Sequence, residues 1–146
     1  MEHAHHALRP ATAGDASAIA ELLGQLGYPA SADEVRQRLD RLGALDTATV
    51  VVADVGGDVV GVVTGHVFPS IHATPTVAWL TTLVVRDDCH QMGIGRQLAG
   101  AIEDWARHHG ATRLSVTSGL QRDDAHAFYE HCGYVRSGVR LTKTLG

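Results

Sequence analysis

The sequence predicts a mixed α/β domain in which helices cover both faces of a mostly antiparallel sheet. Its 146 residues, 45% of them hydrophobic, are enough for one core and too few for two full domains. Segments rich in β-branched residues are interspersed with segments whose apolar residues follow helical spacing. The first strands are joined by a hairpin, whereas the later ones alternate with helices. We therefore expect a single domain over residues 1–146.

Two amphipathic helices are predicted near the start of the chain. Asp15 has the position of an N-cap, and apolar residues at helical spacing follow it up to Gly27. Ser31 and Glu34 have the spacing of a capping box, and Gly43 ends the second apolar stripe.

The strands are predicted from β-branched runs and turn signals. Residues 8–10 form a short extended entry. A Gly-Gly turn joins the runs 47–54 and 59–67 into a hairpin, a loop follows at 68–76, and a third strand runs over 77–86.

The second half of the chain alternates helices and strands. From Ile94 the apolar residues step along one helix face until Gly110 ends the helix. We then expect a strand over 113–117, a short helix over 123–132 and a last strand over 139–144.

Composition and charge exclude several classes of protein. A formal net charge of −4 provides no basic field for a nucleic-acid backbone. No apolar run approaches the roughly 20 residues of a membrane helix, and the first residues do not have the pattern of a signal peptide. Two cysteines without a CxxC and ten scattered histidines predict free thiols and no metal site. We expect a cytoplasmic protein that binds neither nucleic acid nor membrane.

The segment 83–98 carries the chemistry. A turn that leads into a helix offers unpaired N–H groups and the positive end of the helix dipole, which together suit a phosphate. Gly93 and Gly95 allow close backbone approach, and Arg96 adds a full positive charge. The same glycines are also typical of a plain tight turn between a strand and a helix.

Two common phosphate-binding motifs are absent. A Walker loop needs a lysine after its second glycine, but Lys143 near the C-terminus is the only lysine. The dinucleotide fingerprint GxGxxG needs a third glycine where this chain has Leu98.

The remaining pattern resembles the coenzyme A loop of the GCN5-related N-acetyltransferase (GNAT) family. The loop HQMGIG at 90–95 follows the apolar triplet at 83–85, and AHAFYEHCGY at 125–134 resembles the family's C-terminal motif. The loop departs from the family pattern at His90, where Arg or Gln is usual, and at Gln91, where Gly is common.

The resemblance implies the GNAT acyl-CoA N-acyltransferase fold, in which strands 77–86 and 113–117 splay apart to admit acetyl-CoA. It implies that the backbone of Leu83, Val84 and Val85 holds the pantetheine arm and polarises the thioester carbonyl. The pyrophosphate would be bound by the N–H groups of Gln91, Met92, Gly93, Ile94, Gly95 and Arg96. Tyr129 matches the tyrosine that can protonate the departing thiolate.

The general base stays open, because Thr81 and Thr82 stand where many relatives have a glutamate. A threonine hydroxyl cannot act as a base at neutral pH. The alternatives are a water chain that ends at a carbonyl or carboxylate, or a histidine, either His66 or His72. We expect Tyr28, Thr81 and Thr82, together with the loop 68–76, to line the acceptor side.

The resemblance therefore implies an acetyl-CoA-dependent N-acetyltransferase that acts on a primary amine of a small molecule or peptide. Direct attack in a ternary complex is the expected mechanism. The alternative is a non-catalytic acyl-CoA sensor or interaction module of the same fold. Family habit also implies a homodimer.

Overall fold

The computed structural model describes residues 6–117 and 123–146. Its contacts divide the chain into two compact units, Met1–Ser115 and Val116–Gly146, and each is described by itself. The elements in chain order are β1 (His6–Pro10), α1 (Ala16–Leu26), α2 (Ala32–Gly43), β2 (Ala48–Val55), β3 (Asp58–Phe68), β4 (Thr76–Val85), α3 (Ile94–His108), β5 (Ala111–Val116) and α4 (Asp123–His131).

The five strands form one sheet in the order β1-β2-β3-β4-β5. The first three pairs are antiparallel, and the β2–β3 pair is the predicted hairpin. Helix α3 connects β4 to its neighbour β5, a crossover of the kind that joins parallel strands. The start of β5 lies beside the start of β4, since a Cβ built on Gly110 would stand 3.5 Å from Thr76 Oγ1. The predicted mixed, mostly antiparallel sheet is confirmed.

Helices cover both faces of this sheet, as predicted. On one face, Ile19 and Leu22 of α1 pack in a cluster with Val62 and Val84. On the other face α3 lies close to β3, where a Cβ added at Gly61 would stand only 2.9 Å from Leu98 Cδ1. The glycine thus lets a buried leucine approach the strand backbone directly.

The predicted ends of α1 and α2 agree with the structure to about one residue. The Ser31 hydroxyl accepts from the Glu34 N–H at 3.1 Å, and the Glu34 carboxylate accepts from the Ser31 N–H at 3.0 Å. Gly27 ends α1 in the left-handed region with φ 99°. Asp15 does precede α1, but its side chain does not cap the helix and instead binds Arg9 and Thr12.

The prediction of a last strand over 139–144 is wrong. Residues 134–146 form no strand, and Val139 and Leu141 are 87% and 90% exposed. The alternating apolar pattern is present, but a strand also needs a neighbour with which to form a ladder. Within the described residues no strand pairs with this segment.

Within residues 6–117 and 123–146, no helix is both long enough and apolar enough to cross a membrane. Both cysteines are free thiols, as expected.

An ion-pair network ties β1 to β2 and to the start of α1. Arg9 donates to both carboxylate oxygens of Asp15, at 2.8 and 2.9 Å, and to Asp54 at 3.2 Å. The Thr12 N–H also donates to Asp15, at 2.8 Å. The hydrogen bonds from Arg9 are the main cause that lowers the pKa of the buried Asp15 carboxyl to about 2.

We predict that Asp15 makes the fold sensitive to acid. Because its pKa is lower in the folded state, its contribution is complete above pH ~4 and is lost as the pH falls towards 2. The free energy of unfolding should drop by about 2 kcal/mol over that range from this group alone. Urea titrations at stepped pH measure it. Asp15→Asn should remove this component, whereas Asp46→Asn, at an exposed position, should keep it; equal acid dependence in both variants would contradict the assignment.

Candidate functional site

The turn after β4 leads into α3 through a glycine in the left-handed region. Residues Asp87–Met92 form a short 3-10 helix, and Gly93 follows with φ 73°. A Cβ at Gly93 would meet nothing within 4 Å, so the requirement for glycine lies in the backbone angle and not in space. The tight turn at Gly93 between strand and helix is confirmed, while close backbone approach to a ligand stays a prediction.

The N-terminus of α3 is open to an anion. The first intrahelical bond of α3 runs from the Gln97 N–H to the Gly93 carbonyl at 3.2 Å, so the N–H groups of Ile94, Gly95 and Arg96 have no acceptor within the helix. Gly93 supplies no side-chain cap, and the first turn of α3 holds no acidic residue. The exposed Arg96 lies in that turn. These groups fit a phosphate-bearing ligand.

The turn is anchored by two buried side chains. Cys89 lies inside the 3-10 helix with 6% exposure, and Ile94 at the start of α3 is fully buried. Burial is the main cause that raises the pKa of the Cys89 thiol, so Cys89 is a packed thiol and not a reactive thiolate. Met92, between these anchors, is 39% exposed.

The backbone N–H and C=O groups of successive β4 residues point alternately towards β3 and away from it. The Arg86 N–H donates to the Val60 carbonyl on β3 at 2.7 Å, so the backbone groups of Val84 also face β3. Those of Leu83 and Val85 consequently face the opposite side. Of the three residues expected to contact the pantetheine, Leu83 and Val85 therefore have the suitable backbone direction.

The carbonyl of Val85 already has two partners. The Gln25 amide donates to it at 2.8 Å, and the His90 ring nitrogen Nε2 lies 2.8 Å from it. Side chains thus occupy the position that a ladder bond from a neighbouring strand would take.

A β-bulge lies just before the apolar triplet of β4. Thr82 pairs with Thr64, whereas the next residue of β3, Gly65, pairs with Leu80, so Thr81 is the extra residue. The Thr81 hydroxyl donates to the Thr64 carbonyl at 3.4 Å. Bulges bend a strand and redirect its side chains, and they are frequent beside active sites.

Of the two candidate histidines, one shares a sheet face with Thr82. In the β3–β4 register Thr82 lies opposite Thr64, and His66 lies opposite Trp79. Strand alternation puts these four half-buried residues on the face that Val62 and Val84 present to α1. His72 is exposed in the loop between β3 and β4, outside the strands.

The end of α1 lies next to the start of the turn. Gln25 accepts from the Asp87 N–H at 3.1 Å in addition to its bond to Val85. Tyr28, three residues further on, is 67% exposed. Sequence reasoning missed Gln25, although it stands three positions after the buried Leu22 and therefore borders the packed stripe of α1.

Tyr129 belongs to the second unit and lies in α4. Its ring makes edge-on contacts with the rings of Phe128 and Tyr134, at centroid distances of 5.2 and 5.6 Å. Its carbonyl accepts from the N–H groups of Cys132 and Tyr134, both at 3.0 Å, where the chain leaves the helix. The half-buried tyrosine is thus part of a small aromatic cluster.

Within the described residues, no group of three histidine, cysteine, aspartate or glutamate side chains has the arrangement of a metal site.

The chain belongs to the acetyltransferase (GNAT) family, whose family model matches residues 17–134. It is 35% identical over 89 residues to the aminoalkylphosphonate N-acetyltransferase of Salmonella typhimurium, a match that covers 61% of this chain and 58% of that protein. It is 28% identical over 131 residues to the aminoglycoside N(6')-acetyltransferase type 1 of Stenotrophomonas maltophilia, with 87% and 84% covered.

The fold is also that of solved acetyltransferases. An aminoglycoside N-acetyltransferase in complex with coenzyme A superposes with a TM-score of 0.86 at 14% identity, covering 99% of this chain and 97% of that one. At a sequence identity of 14%, this similarity shows a shared fold and nothing further. The fold class and the family that the sequence predicted are both confirmed.

We predict that Gly93→Val weakens coenzyme A binding at least tenfold. A β-branched residue does not tolerate φ 73°, so the turn must change its course and move the N–H groups of α3. Gly56→Val is a matched control, because Gly56 has φ 60° with open space around it in the β2–β3 hairpin. Calorimetry should find normal affinity in Gly56→Val; equal losses in both variants would mean that general backbone strain causes the effect.

Proposed function

We propose that the protein is an N-acetyltransferase that moves the acetyl group of acetyl-CoA to a primary amine of a small molecule or peptide. The observation that carries the proposal is a pair of neighbouring features. The N-terminus of α3 is open behind Gly93, and the Leu83 backbone near the end of β4 faces away from β3. The short 3-10 helix Asp87–Met92 connects the two. One end of a coenzyme needs anion contacts and the other needs strand-like backbone contacts. This segment offers both.

The coenzyme would lie along the turn and the end of β4. The N–H groups around the start of α3 and the charge of Arg96 suit the pyrophosphate. The outward backbone groups of Leu83 suit the amides of the pantetheine arm, which would then extend the sheet as a strand does. When bound, acetyl-CoA supplies the activated acetyl thioester.

Small-molecule amines are the acceptor class that the relatives favour. Two relatives are named for aminoalkylphosphonates and aminoglycosides, both of which carry primary amines. The exposed Tyr28 at the end of α1 and the loop between β3 and β4 are our candidates for the acceptor wall. We also propose a homodimer in the cytoplasm, from the family resemblance alone.

Removal of a proton from the acceptor is a distinct step, because an alkyl ammonium group has a pKa of about 10 and cannot attack while protonated. His66 is the better supported of the two histidines, since it shares the face of Thr82 and Thr64. A neutral imidazole there can accept the proton directly or through water. A water chain that ends at a carbonyl or carboxylate stays the alternative.

Tyr129 is our candidate for protonation of the leaving thiolate. The Tyr129 ring lies in an aromatic cluster with Phe128 and Tyr134, and its hydroxyl can donate a proton to the thiolate sulfur as the C–S bond breaks. In a ternary complex the neutral amine attacks the acetyl carbon directly, the C–S bond breaks, and the departing thiolate takes the Tyr129 proton.

We predict that Tyr129→Phe lowers kcat by about 10- to 1,000-fold while coenzyme A affinity stays within about twofold. Phenylalanine keeps the ring contacts and removes only the hydroxyl. The assay follows thiol release from acetyl-CoA with a panel of amines. Tyr134→Phe is the matched control, because it removes a hydroxyl from the neighbouring ring of the same cluster. A wild-type rate in Tyr129→Phe would eliminate the proton-donor role, and an inactive wild type that still binds coenzyme A would favour the sensor.

For the base, we predict that His66→Ala removes the acid-side limb of the pH–rate profile and lowers the rate at neutral pH about 10- to 100-fold. His72→Ala, on the exposed loop, should keep the wild-type profile. If both variants keep the limb, the proton leaves through water and neither histidine is the base.

A further inference from the structure

Gln25 connects α1 to the chain where β4 becomes the coenzyme turn. Its amide Nε2 donates to the Val85 carbonyl at 2.8 Å, and its Oε1 accepts from the Asp87 N–H at 3.1 Å. Both functional atoms of one side chain are therefore used on two peptide groups that flank Arg86. Because the amide is planar and rigid, these groups cannot move apart without breaking one of the bonds.

The residue between them is bound on the opposite side. The Arg86 N–H donates to the Val60 carbonyl at 2.7 Å, and the Arg86 side chain donates to Asp88 at 2.7 Å and to Asp58 at 3.3 Å. Three successive residues are thus held alternately by α1 and by β3. The direction in which the chain enters the 3-10 helix, and hence the path to Gly93, depends on this arrangement.

We propose that Gln25 is a positioning residue for the coenzyme site, which it holds in its binding geometry before the coenzyme arrives. The inference rests on the proposed function, since it concerns the same turn. Without Gln25, coenzyme binding must also order the end of β4 and the start of the turn, so affinity falls. The His90 contact to Val85 remains, and for that reason the loss is partial.

The direct test is Gln25→Leu, a substitution of similar length that removes both polar atoms. The dissociation constant for coenzyme A should rise about tenfold, and the KM for acetyl-CoA should rise with it. At saturating acetyl-CoA, kcat should stay within about twofold, because bound coenzyme restores the geometry. Gln37→Leu, the same change at an exposed position of α2, should leave both constants unchanged.

Gln25→Glu separates positioning from simple packing. A carboxylate can still accept from the Asp87 N–H, but it cannot donate to the Val85 carbonyl unless it is protonated. The affinity of Gln25→Glu relative to wild type should therefore rise as the pH is lowered from 7 towards 4, through the ordinary glutamate pKa of about 4.3. A ratio that does not vary with pH would contradict a contribution of the bond to Val85.

Amide hydrogen exchange gives a readout that needs no ligand. The Asp87 amide should exchange faster in Gln25→Leu, whereas amides in the centre of β3 keep their protection. Unchanged exchange at Asp87, or faster exchange with unchanged coenzyme A affinity, would overturn the role of Gln25 and leave the proposed function standing. If the wild type itself does not bind coenzyme A, both the proposed function and this inference fail.

Discussion

The antiparallel ladder between β3 and β4 is the constraint on which the site depends. For every residue of β4, this ladder decides whether the backbone N–H and C=O groups form hydrogen bonds with β3 or point to the other side. The bulge at Thr81 interrupts this alternation once, just before the apolar triplet at 83–85. If Thr81 instead paired regularly with Thr64, every later residue of β4 would move to the next partner, and Thr82 would lie opposite Val63 on the other face of the sheet.

Two helices keep the ladder in position and extend its effect. Helix α3 approaches β3 closely because Gly61 carries no side chain, and its buried Leu98 and Ile94 hold the helix start near the end of β4. Helix α1 contributes Gln25 from the other face of the sheet. The open helix start and the end of the strand are therefore located by packing on both faces, and the turn between them requires only one special backbone angle, at Gly93.

The parts that the sequence predicts well are those set by local chemistry. The capping box of Ser31 and the strand-turn-helix around Gly93 need only a few neighbouring residues, and they occur where expected. The bulge at Thr81 depends on cross-strand pairing, and the Gln25 bridge joins residues that are 62 positions apart, so neither leaves a pattern in the local sequence. The segment 139–144 begins with alternating apolar and polar side chains, but alternation describes one strand and not its partner.

His90 shows how the turn accommodates a residue that departs from the family pattern. In the loop signature its position usually holds arginine or glutamine, either of which can donate several hydrogen bonds. The imidazole offers fewer donors, and here its Nε2 is directed at the Val85 carbonyl within its own turn, with the Asp87 carboxylate 3.7 Å away. That side chain therefore stabilises the turn, while the positive charge at the start of α3 comes from Arg96 and the helix dipole. The substitution therefore changes how the turn is supported, while the N–H groups at the start of α3 remain those of the backbone.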